Sequence, residues 1–476
     1  RAPTCQAGST DSSLMIQNQP PPTGITELVT RLQDRDELRT ITDLDPAFEI
    51  AAITRRICAI PGGGPAVLFR LPNNPDASVV TNLFGSIYRQ ELALGVPKGI
   101  QALRDRIAPC LEGSSNQWML PMELVPTQTQ RPDQLKRTES FSLRDLPTIR
   151  NWPLDGTAAG EPSYLTLAQV HTFSPESGEV NCGIYRCQIH SDTALAIRWR
   201  ETSGAAKHHR EYRRIGKPMP VTITMGGPAA LTLAAAWPLP PAVDEIHFAG
   251  WLQNHPIQVF ETSHAPLLVP SGAELVLEGF ADTAETLLEG PFGNYTGQYD
   301  PPSHVPRVTI TGYYQRAPLY LPATVVGPPP QEDCVMMHGW ERILAAMLSR
   351  CLDCFYDISL PVSMVFNGGA IISLTHVGDR TVQDVVRTLW ELPWFRSARL
   401  LLIVDQDIDV HDPTLPWWGM VQGTESWHRR IITDETGKRI AINATGQTNA
   451  ALVEPPHIST RMEHWQKEFG FYDWSV

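Results

Sequence analysis

The sequence lacks an excess of basic residues. Its 476 residues include 51 Asp and Glu against 38 Lys and Arg, which gives a formal net charge of −13. A nucleic-acid-binding protein usually presents a basic face to the phosphate backbone, and this balance of charge argues against one. We therefore expect no nucleic-acid partner.

A long apolar run is also missing. The best candidate, residues 229–243, is interrupted by prolines at 238, 240 and 241, and it falls short of the about 18 apolar residues that a membrane-spanning helix needs. The N-terminus shows no basic segment followed by an apolar core, so no signal peptide is predicted. The sequence thus predicts neither a membrane span nor a membrane partner.

Cysteine is scarce and scattered, with eight residues along the whole chain. This usage is typical of reduced thiols in the cytoplasm and not of a disulfide framework. Cys351 and Cys354 form a lone CxxC pair, and a zinc site would need further ligands. We interpret these two cysteines as buried or incidental and predict a cytoplasmic protein.

The chain is too long for one hydrophobic core, which predicts several domains. Residues 1–22, rich in Ser, Gln, Pro and Thr, are predicted to be a flexible lead-in. The changes of pattern described next favour three domains and a final helix, at residues 23–122, 123–325, 326–455 and 456–476.

Hydrophobic periodicity differs between these parts. Apolar residues from Ile25 to Leu32 share one helical face, and residues 66–71 read as a short buried strand. From 164 to 322, short β-branched runs alternate with Gly and Pro turns, which predicts a barrel or sandwich. Beyond 330, helical and strand patterns alternate, which indicates an α/β layer. In the strand pattern near 275, Glu274 and Glu278 alternate with apolar residues and are predicted to face solvent.

The stretch from Glu289 to Tyr299, EGPFGNYTGQY, combines a carboxylate, glycines and a proline in a few residues. Glycine allows close approach of the backbone to a ligand, and proline fixes the turn. A carboxylate on such a bend, supplied with a guanidinium from Arg186, has the composition of a general acid/base site. Taken alone, the stretch is better explained as an ordinary turn with a surface Glu, and only the combination with other motifs favours a site.

Other motifs precede and follow this stretch. NCGIYR at 181–186, RWR at 198–200 with Ser203 and Gly204, and EIHFAG at 245–250 come before it. Later motifs are found at 327–333, 404–409 and 439–445. In this order and spacing the seven motifs, spread over about 265 residues, resemble the UbiD-like decarboxylases that use prenylated FMN. The resemblance covers the chain from about residue 25.

The resemblance implies an α/β multidomain fold. It has an N-terminal α/β segment, a central split β-barrel that binds the flavin, and a C-terminal α/β domain that mediates oligomerisation. A homodimer or a higher homo-oligomer is therefore expected, and a flavin prenyltransferase would supply the cofactor.

The resemblance also assigns cofactor and metal sites. Asn181 and Glu245 match ligands of Mn²⁺ or Mg²⁺ beside the cofactor phosphate, and such oxygen donors suit a hard cation. The metal-binding histidine that one branch of the family has at the position of Gly204 is missing here. K⁺ is a further cation that the resemblance allows. The residues that match the flavin-binding segments are Ile184, Tyr185, Arg186, Arg198, Trp199, Arg200, Ser203 and Gly204.

Arg186 and Glu289 match the arginine and the first acid of the family's catalytic network. The second acid falls at Asn294, and an amide is not a Brønsted acid at neutral pH. Either Glu289 alone exchanges the proton, or the substrate carries more of the charge, as a phenolic acid can. In the family, Asn at this place accompanies hydroxyaryl acids.

We therefore predict reversible, non-oxidative decarboxylation of a hydroxyaryl or heteroaryl carboxylic acid, with Arg186, Glu289 and Asn294 as catalytic residues. The alternative within this class is alkene-forming decarboxylation of an α,β-unsaturated acid of cinnamic or natural-product type. Two further classes are an oxidoreductase with ordinary FMN and a non-catalytic accessory subunit. The metal pair argues against the former, and the presence of both Arg186 and Glu289 argues against the latter.

Overall fold

The computed structural model describes residues 20–446 apart from 43, 46–47, 73, 97, 112–125, 242, 366–367, 378–380 and 423–425. Most of the predicted lead-in, and all of the predicted C-terminal helix at 456–476, lie outside the described residues. Over the described ranges, no helix combines the length and the apolar character needed to cross a membrane.

The N-terminal part is a small mixed layer of helices and strands. Its elements are α1 (Ile25–Asp34), β1 (Leu38–Ile41), α2 (Glu49–Cys58), β2 (Ala66–Arg70), β3 (Ala77–Thr81), α3 (Ile87–Leu94) and α4 (Leu103–Ile107). The face of α1 predicted from the sequence is buried, since Ile25, Leu28, Val29 and Leu32 are each at most 5% exposed.

The central part is mainly antiparallel sheet. Its strands are β4 (Thr127–Gln128), β5 (Lys136–Arg137), β6 (Tyr164–Leu165), β7 (Gln169–Phe173), β8 (Val180–Ile184), β9 (Cys187–Ile189), β10 (Ala194–Ile197), β11 (Met219–Gly226), β12 (Gln258–Glu261), β13 (Leu268–Pro270), β14 (Ala273–Glu289), β15 (Phe292–Gly293), β16 (Tyr299–Asp300), β17 (Ser303–Gln315) and β18 (Leu319–Pro322). Its helices are α5 (Gly204–Arg214), α6 (Ala229–Ala236) and α7 (Glu245–Leu252).

The large central sheet has the order β6-β9-β10-β17-β14-β11-β7-β8, with β5 added to β17. The long antiparallel pair β14–β17 contains register shifts near Gly279 and again between Ala281 and Thr286, where the sheet bends. A Cβ at Gly279 would collide with the carbonyl oxygen of Thr309, so this bend requires glycine. The sheet curls into a half-barrel, which confirms the predicted split barrel.

The C-terminal part is an α/β layer, as the alternating patterns predicted. Its elements are α8 (Glu332–Cys351), β19 (Phe355–Ser359), β20 (Gly369–Leu374), α9 (Val382–Glu391), β21 (Leu400–Asp405), α10 (Leu415–Gln422), α11 (Trp427–Arg430), β22 (Ile431–Thr433) and β23 (Ile440–Asn443). The sheet order is β19-β20-β21-β23-β22, with parallel pairing between β20, β21 and β23.

The three parts are tied together by strand pairing and by buried contacts. After the central sheet the chain returns to the N-terminal sheet, whose order is β1-β2-β3-β18, because β18 pairs in parallel with β3. At the start of α8, Oε2 of Glu332 accepts a hydrogen bond from the backbone N–H of Phe84 at 3.1 Å. The N-terminal part therefore contacts both the central part, through β18, and the C-terminal part, through Glu332.

The prediction that Glu274 and Glu278 face solvent is wrong. The two residues are 1% and 4% exposed. Glu274 accepts hydrogen bonds from the N–H and hydroxyl of Thr26, and Glu278 accepts one from the N–H of Ser263. Neighbouring segments cover the second face of β14, so alternation along this strand does not separate core from solvent.

Candidate active site

Glu289 is the last residue of β14, and its register partner is Ser303, the first residue of β17. It is 0% exposed. Gly290 follows with a φ of 97°, a conformation that favours glycine, and its N–H donates to Oε1 of Gln188 at 3.0 Å. This turn fixes the carboxyl group at the end of the curled strand pair.

Arg186 lies between β8 and β9 and holds Glu289 with two nitrogens. Its Nε donates to Oε1 of Glu289 at 2.8 Å and its Nη2 donates to Oε2 at 3.1 Å. Arg198, directly after β10, donates from Nη1 to Oε2 at 3.3 Å. Strands β9 and β10 pair side by side, which brings the two arginines to the same buried carboxylate. The structure thus joins two residues predicted as catalytic with one predicted as cofactor-binding.

A second carboxylate lies on Arg186. Nη1 of Arg186 donates to Oδ2 of Asp300 at 2.7 Å. Asn294 makes no hydrogen bond to Arg186 among the described residues; its Nδ2 donates to Oδ1 of Asp300 at 2.8 Å. The β15–β16 hairpin creates this arrangement by setting Asp300 opposite Phe292. Asp300 was not predicted from the sequence, in which its one local signal is its position directly before two prolines.

Aromatic side chains enclose this group. The hydroxyl of Tyr164 donates to Oε1 of Glu289 at 3.3 Å, and the guanidinium of Arg186 lies 4.4 Å from the ring centre of Phe292. Burial, and then the charge of Glu289, raise the pKa of Tyr164 well above its usual value. Burial alone would lower the pKa of Arg186, but its bonds to Glu289 and Asp300 raise it. Tyr164 is therefore a neutral donor, and Arg186 stays cationic.

Asp155 holds the β15–β16 hairpin by accepting backbone hydrogen bonds, and it was not predicted from the sequence either. Its Oδ1 accepts from the N–H of Gly293 at 2.8 Å and its Oδ2 accepts from the N–H of Trp152 at 3.0 Å. Burial raises the pKa of Asp155 to about 6, even though these two donors oppose the rise. The segment around Trp152 thereby holds the turn that follows Glu289.

The two predicted metal ligands lie close together. Oε2 of Glu245, the first residue of α7, accepts from the N–H of Cys182 at 2.9 Å, and Cys182 follows Asn181 on β8. Burial raises the pKa of Glu245 to about 8, and no cationic side chain among the described residues pairs with it. Nδ2 of Asn181 is buried without a hydrogen-bond partner in the described structure. The carboxyl of Glu245, without a cationic partner, fits a divalent cation. The unsatisfied Nδ2 of Asn181 is a hydrogen-bond donor that suits an anionic oxygen such as a phosphate, and only Oδ1 of Asn181 could bind the metal.

Four other residues predicted to bind the cofactor, Tyr185, Trp199, Ser203 and Gly204, lie near Asn181. The rings of Tyr185 and Trp199 meet edge to face with their centres 6.4 Å apart. Ser203 caps the N-terminus of α5 by accepting from the N–H of Ala206 at 3.3 Å. Gly204 begins that helix, and a Cβ there would collide with the side chain of Asn181. Any larger residue at position 204 would therefore require the side chain of Asn181 to move.

Two other residues predicted to bind the cofactor, Ile184 and Arg200, lie in different surroundings from this group. Ile184 is half-buried against the main core, and Arg200 is exposed and makes no side-chain hydrogen bond or ion pair within the described ranges. Over those ranges, no group of three or more His, Cys, Asp and Glu side chains is arranged to hold a metal ion. A cation at Asn181 and Glu245 therefore needs oxygen donors from outside this set.

Comparison with known proteins identifies the family. Three sequence models described as domains of 3-octaprenyl-4-hydroxybenzoate carboxy-lyase match consecutive parts of the chain. The N-terminal domain matches residues 29–107, the Rift-related domain 125–329 and the C-terminal domain 334–436.

Relatives of similar length support this match. An uncharacterized protein of Archaeoglobus fulgidus is 31% identical over 406 residues, which are 83% of this chain and 82% of the relative. An uncharacterized protein of Aquifex aeolicus is 32% identical over 402 residues, 81% of each chain.

Solved structures share the fold. An evolved dimeric form of the UbiD-class enzyme HmfF from Pelotomaculum thermopropionicum, in complex with prFMN, superposes with a TM-score of 0.79 at 22% identity, covering 92% of this chain and 98% of the other. The closed form of Sedimentibacter hydroxybenzoicus vanillic acid decarboxylase gives a TM-score of 0.80 at 21% identity, covering 95% and 100%. Family match, relatives and fold agree, and the chain therefore belongs to the UbiD family of carboxy-lyases.

Proposed function

We propose that this protein catalyses the reversible, non-oxidative decarboxylation of a hydroxyaryl or heteroaryl carboxylic acid, using prenylated FMN and a divalent cation. The observation that carries this proposal is the fully buried carboxylate of Glu289, held at 2.8 and 3.1 Å by Arg186. Such a pair provides a carboxyl group for proton transfer and a cation for an anionic substrate.

Arg186 has hydrogen-bonding capacity left for a substrate carboxylate. A guanidinium group has five N–H donors. Glu289 and Asp300 take three of them in the contacts described above, so two remain for a carboxylate. The pairing would fix the carboxylate and orient the carbon that loses CO₂.

We assign proton transfer at that carbon to Glu289. Once CO₂ has left, a proton must be delivered to the carbon that carried the carboxylate, and in the reverse direction a proton must be removed from it. Arg186, Arg198 and Tyr164 all donate to Glu289 and hold its two oxygens in fixed directions. Positioned proton transfer of this kind is typically worth roughly 10²–10⁴-fold in rate.

Asn181 and Glu245 would hold the cation, and Tyr185, Trp199 and Ser203 would line the flavin. The buried carboxyl of Glu245, which has no cationic partner among the described residues, supports the cation, and the unsatisfied Nδ2 donor of Asn181 suits a phosphate oxygen of the flavin. The N-terminus of α5, capped by Ser203, favours a nearby phosphate group. When bound, prenylated FMN supplies the electron sink that decarboxylation at an sp² carbon requires.

The substrate class rests on the residue at 294 and on the solved structures of similar fold. Asn294 presents an amide where a second acid is expected from the family resemblance. Two proteins of this fold are named for hydroxyaryl acids, the vanillic acid decarboxylase and a 3,4-dihydroxybenzoic acid decarboxylase from Enterobacter cloacae. We further propose that a flavin prenyltransferase supplies the cofactor. The protein would form a homodimer or a larger homo-oligomer.

The test is co-expression with a flavin prenyltransferase, followed by mass spectrometry of the cofactor and assays of CO₂ release. We expect prenylated FMN and turnover of a hydroxybenzoate. Turnover only of cinnamic-type acids would replace the aromatic substrate with the alkene-forming alternative. Protein that carries only ordinary FMN or no flavin would contradict the proposed chemistry.

Variants separate the roles within the site. Glu289→Gln and Arg186→Ala should bind the flavin but release CO₂ at least about 100-fold more slowly. Glu285→Gln is the matched control, because Glu285 lies on the same strand but pairs with Arg307 on the exposed surface. Near-normal CO₂ release by either site variant would show that the assigned roles are wrong.

A further inference from the structure

Arg186 lies between two carboxylates of different exposure. Glu289 is fully buried, and the side chain of Asp300, bound to Nη1 of Arg186 at 2.7 Å, is 34% exposed. The arginine side chain itself is 15% exposed. The guanidinium group therefore links a carboxylate inside the protein with one that reaches towards solvent.

Both carboxylate oxygens of Asp300 accept a hydrogen bond. One oxygen accepts from Arg186 and the other accepts from Nδ2 of Asn294 at 2.8 Å. The Asn294 side chain is fixed in turn, because its Oδ1 accepts from the N–H and the hydroxyl of Thr296. An incidental surface ion pair would not require an amide ordered from both ends.

We propose that Asp300 is a positioning residue that completes an acid–arginine–acid network with Arg186 and Glu289. This inference rests on the proposed decarboxylase function. The amide of Asn294 does not supply the second acid; it directs the carboxylate of Asp300 onto Arg186. The second acid is thus carried by the returning strand of the hairpin and not by residue 294.

Loss of the Asp300 carboxylate should change kcat and substrate affinity in opposite directions. Asp300 fixes the guanidinium group and shares its charge, so removing the carboxylate leaves Arg186 free to tilt away from its productive orientation and kcat falls. The same change removes a negative charge beside the place where an anionic substrate binds, so carboxylate binding becomes tighter. A residue with only a structural role would not tighten binding when it is lost.

The experiment uses the flavin-loaded, full-length protein and compares wild type with Asp300→Asn. The readouts are kcat and the calorimetric dissociation constant of 4-hydroxybenzoate. We expect kcat to fall by about 10-fold or more, less than the loss of the group that itself transfers the proton, and binding to tighten about threefold. Asp300→Glu retains the charge and should lie nearer wild type in both quantities.

Asp36→Asn is the matched control, since it removes an Asp–Arg ion pair with Arg39 on the exposed surface of the N-terminal part. Should Asp300→Asn not fold, Asp300→Ser carries the same comparison. A kcat within about twofold of wild type, or a loss of kcat without tighter binding, would overturn the role of Asp300. If loaded wild type turned over no acid at all, the proposed function would fail, while the binding measurement would still report on Asp300.

Discussion

The hydroxyl group of Tyr164 donates to Oε1 of Glu289 across 3.3 Å, in a part of the protein where both residues are almost completely buried. Tyr164 is the first residue of β6, at the edge of the central sheet, and Glu289 ends β14. Their contact adds a neutral donor to the two arginines on this carboxylate. Replacing Tyr164 with Phe would remove this contact and would change the shape of the side chain little.

Tyr164→Phe should lower kcat by about 3- to 10-fold, the equivalent of one long hydrogen bond of about 1 kcal/mol to a carboxylate that keeps both arginines, and leave substrate affinity nearly unchanged. The ring contact with Phe292, with centres 4.8 Å apart, would remain. Steady-state kinetics of the loaded enzyme checks this. Tyr313→Phe is the control, since its hydroxyl donates to Gln315 away from Glu289. Equal losses in both variants would point to general damage.

Asp155→Asn should destabilise the hairpin after Glu289. Both oxygens of Asp155 accept backbone N–H groups, from Trp152 and Gly293, so an amide nitrogen at either position would face a donor. We expect about 1–3 kcal/mol of lost stability, together with a lower kcat. Thermal unfolding and kinetics test this. A variant with unchanged Tm and kcat would show that the hairpin does not depend on this anchor.

Gly204→Ala should impair metal binding while the protein stays folded. The added methyl group would displace the side chain of Asn181, one of the two proposed ligands. Metal content after incubation with Mn²⁺, measured by mass spectrometry, should fall below one half of the wild-type value. Gly419→Ala serves as control, because a Cβ there would make only ordinary contact with Ile408. Full metal content in Gly204→Ala would remove Asn181 from the proposed site.

Glu332→Gln should flatten the pH dependence of stability. Burial raises the pKa of Glu332 from 4.5 to about 7, so the folded protein holds this proton more tightly than the unfolded chain does. The resulting stabilisation is complete below about pH 4.5 and is lost as the pH rises through about 7, a difference of up to about 3 kcal/mol.

Wild type should therefore lose more Tm between pH 5 and pH 7.5 than Glu332→Gln does. Glu285→Gln, at an exposed position, should follow wild type. Parallel Tm curves for wild type and Glu332→Gln would mean that this carboxyl group does not titrate in the expected range.

The contact between Arg186 and Glu289 could be expected because both lie in motifs whose order and spacing resemble those of the family, although either motif alone is weak. The helical face of α1 and the alternation of helices and strands beyond residue 330 were predictable from the sequence itself, since short-range periodicity determines them. These features depend on neighbours a few residues away.

Asp300, Tyr164 and Asp155 could not be found in this way. Asp300 reaches Arg186 only through the register of a two-residue hairpin ladder, and Tyr164 meets Glu289 across the curled sheet. Glu274 shows the same limit, because its burial depends on contact with Thr26 in α1. Contacts between residues far apart in the sequence position these groups. Local sequence patterns therefore do not reveal them.

Strand β18 has a consequence for how the protein is made. It is the neighbour of β3 in the N-terminal sheet, although the whole central sheet is encoded between the two strands. We therefore expect β3 to keep an unpaired edge during synthesis until residues 319–322 have left the ribosome. The N-terminal sheet can be completed only after the central sheet has been synthesised, which couples the folding of the two.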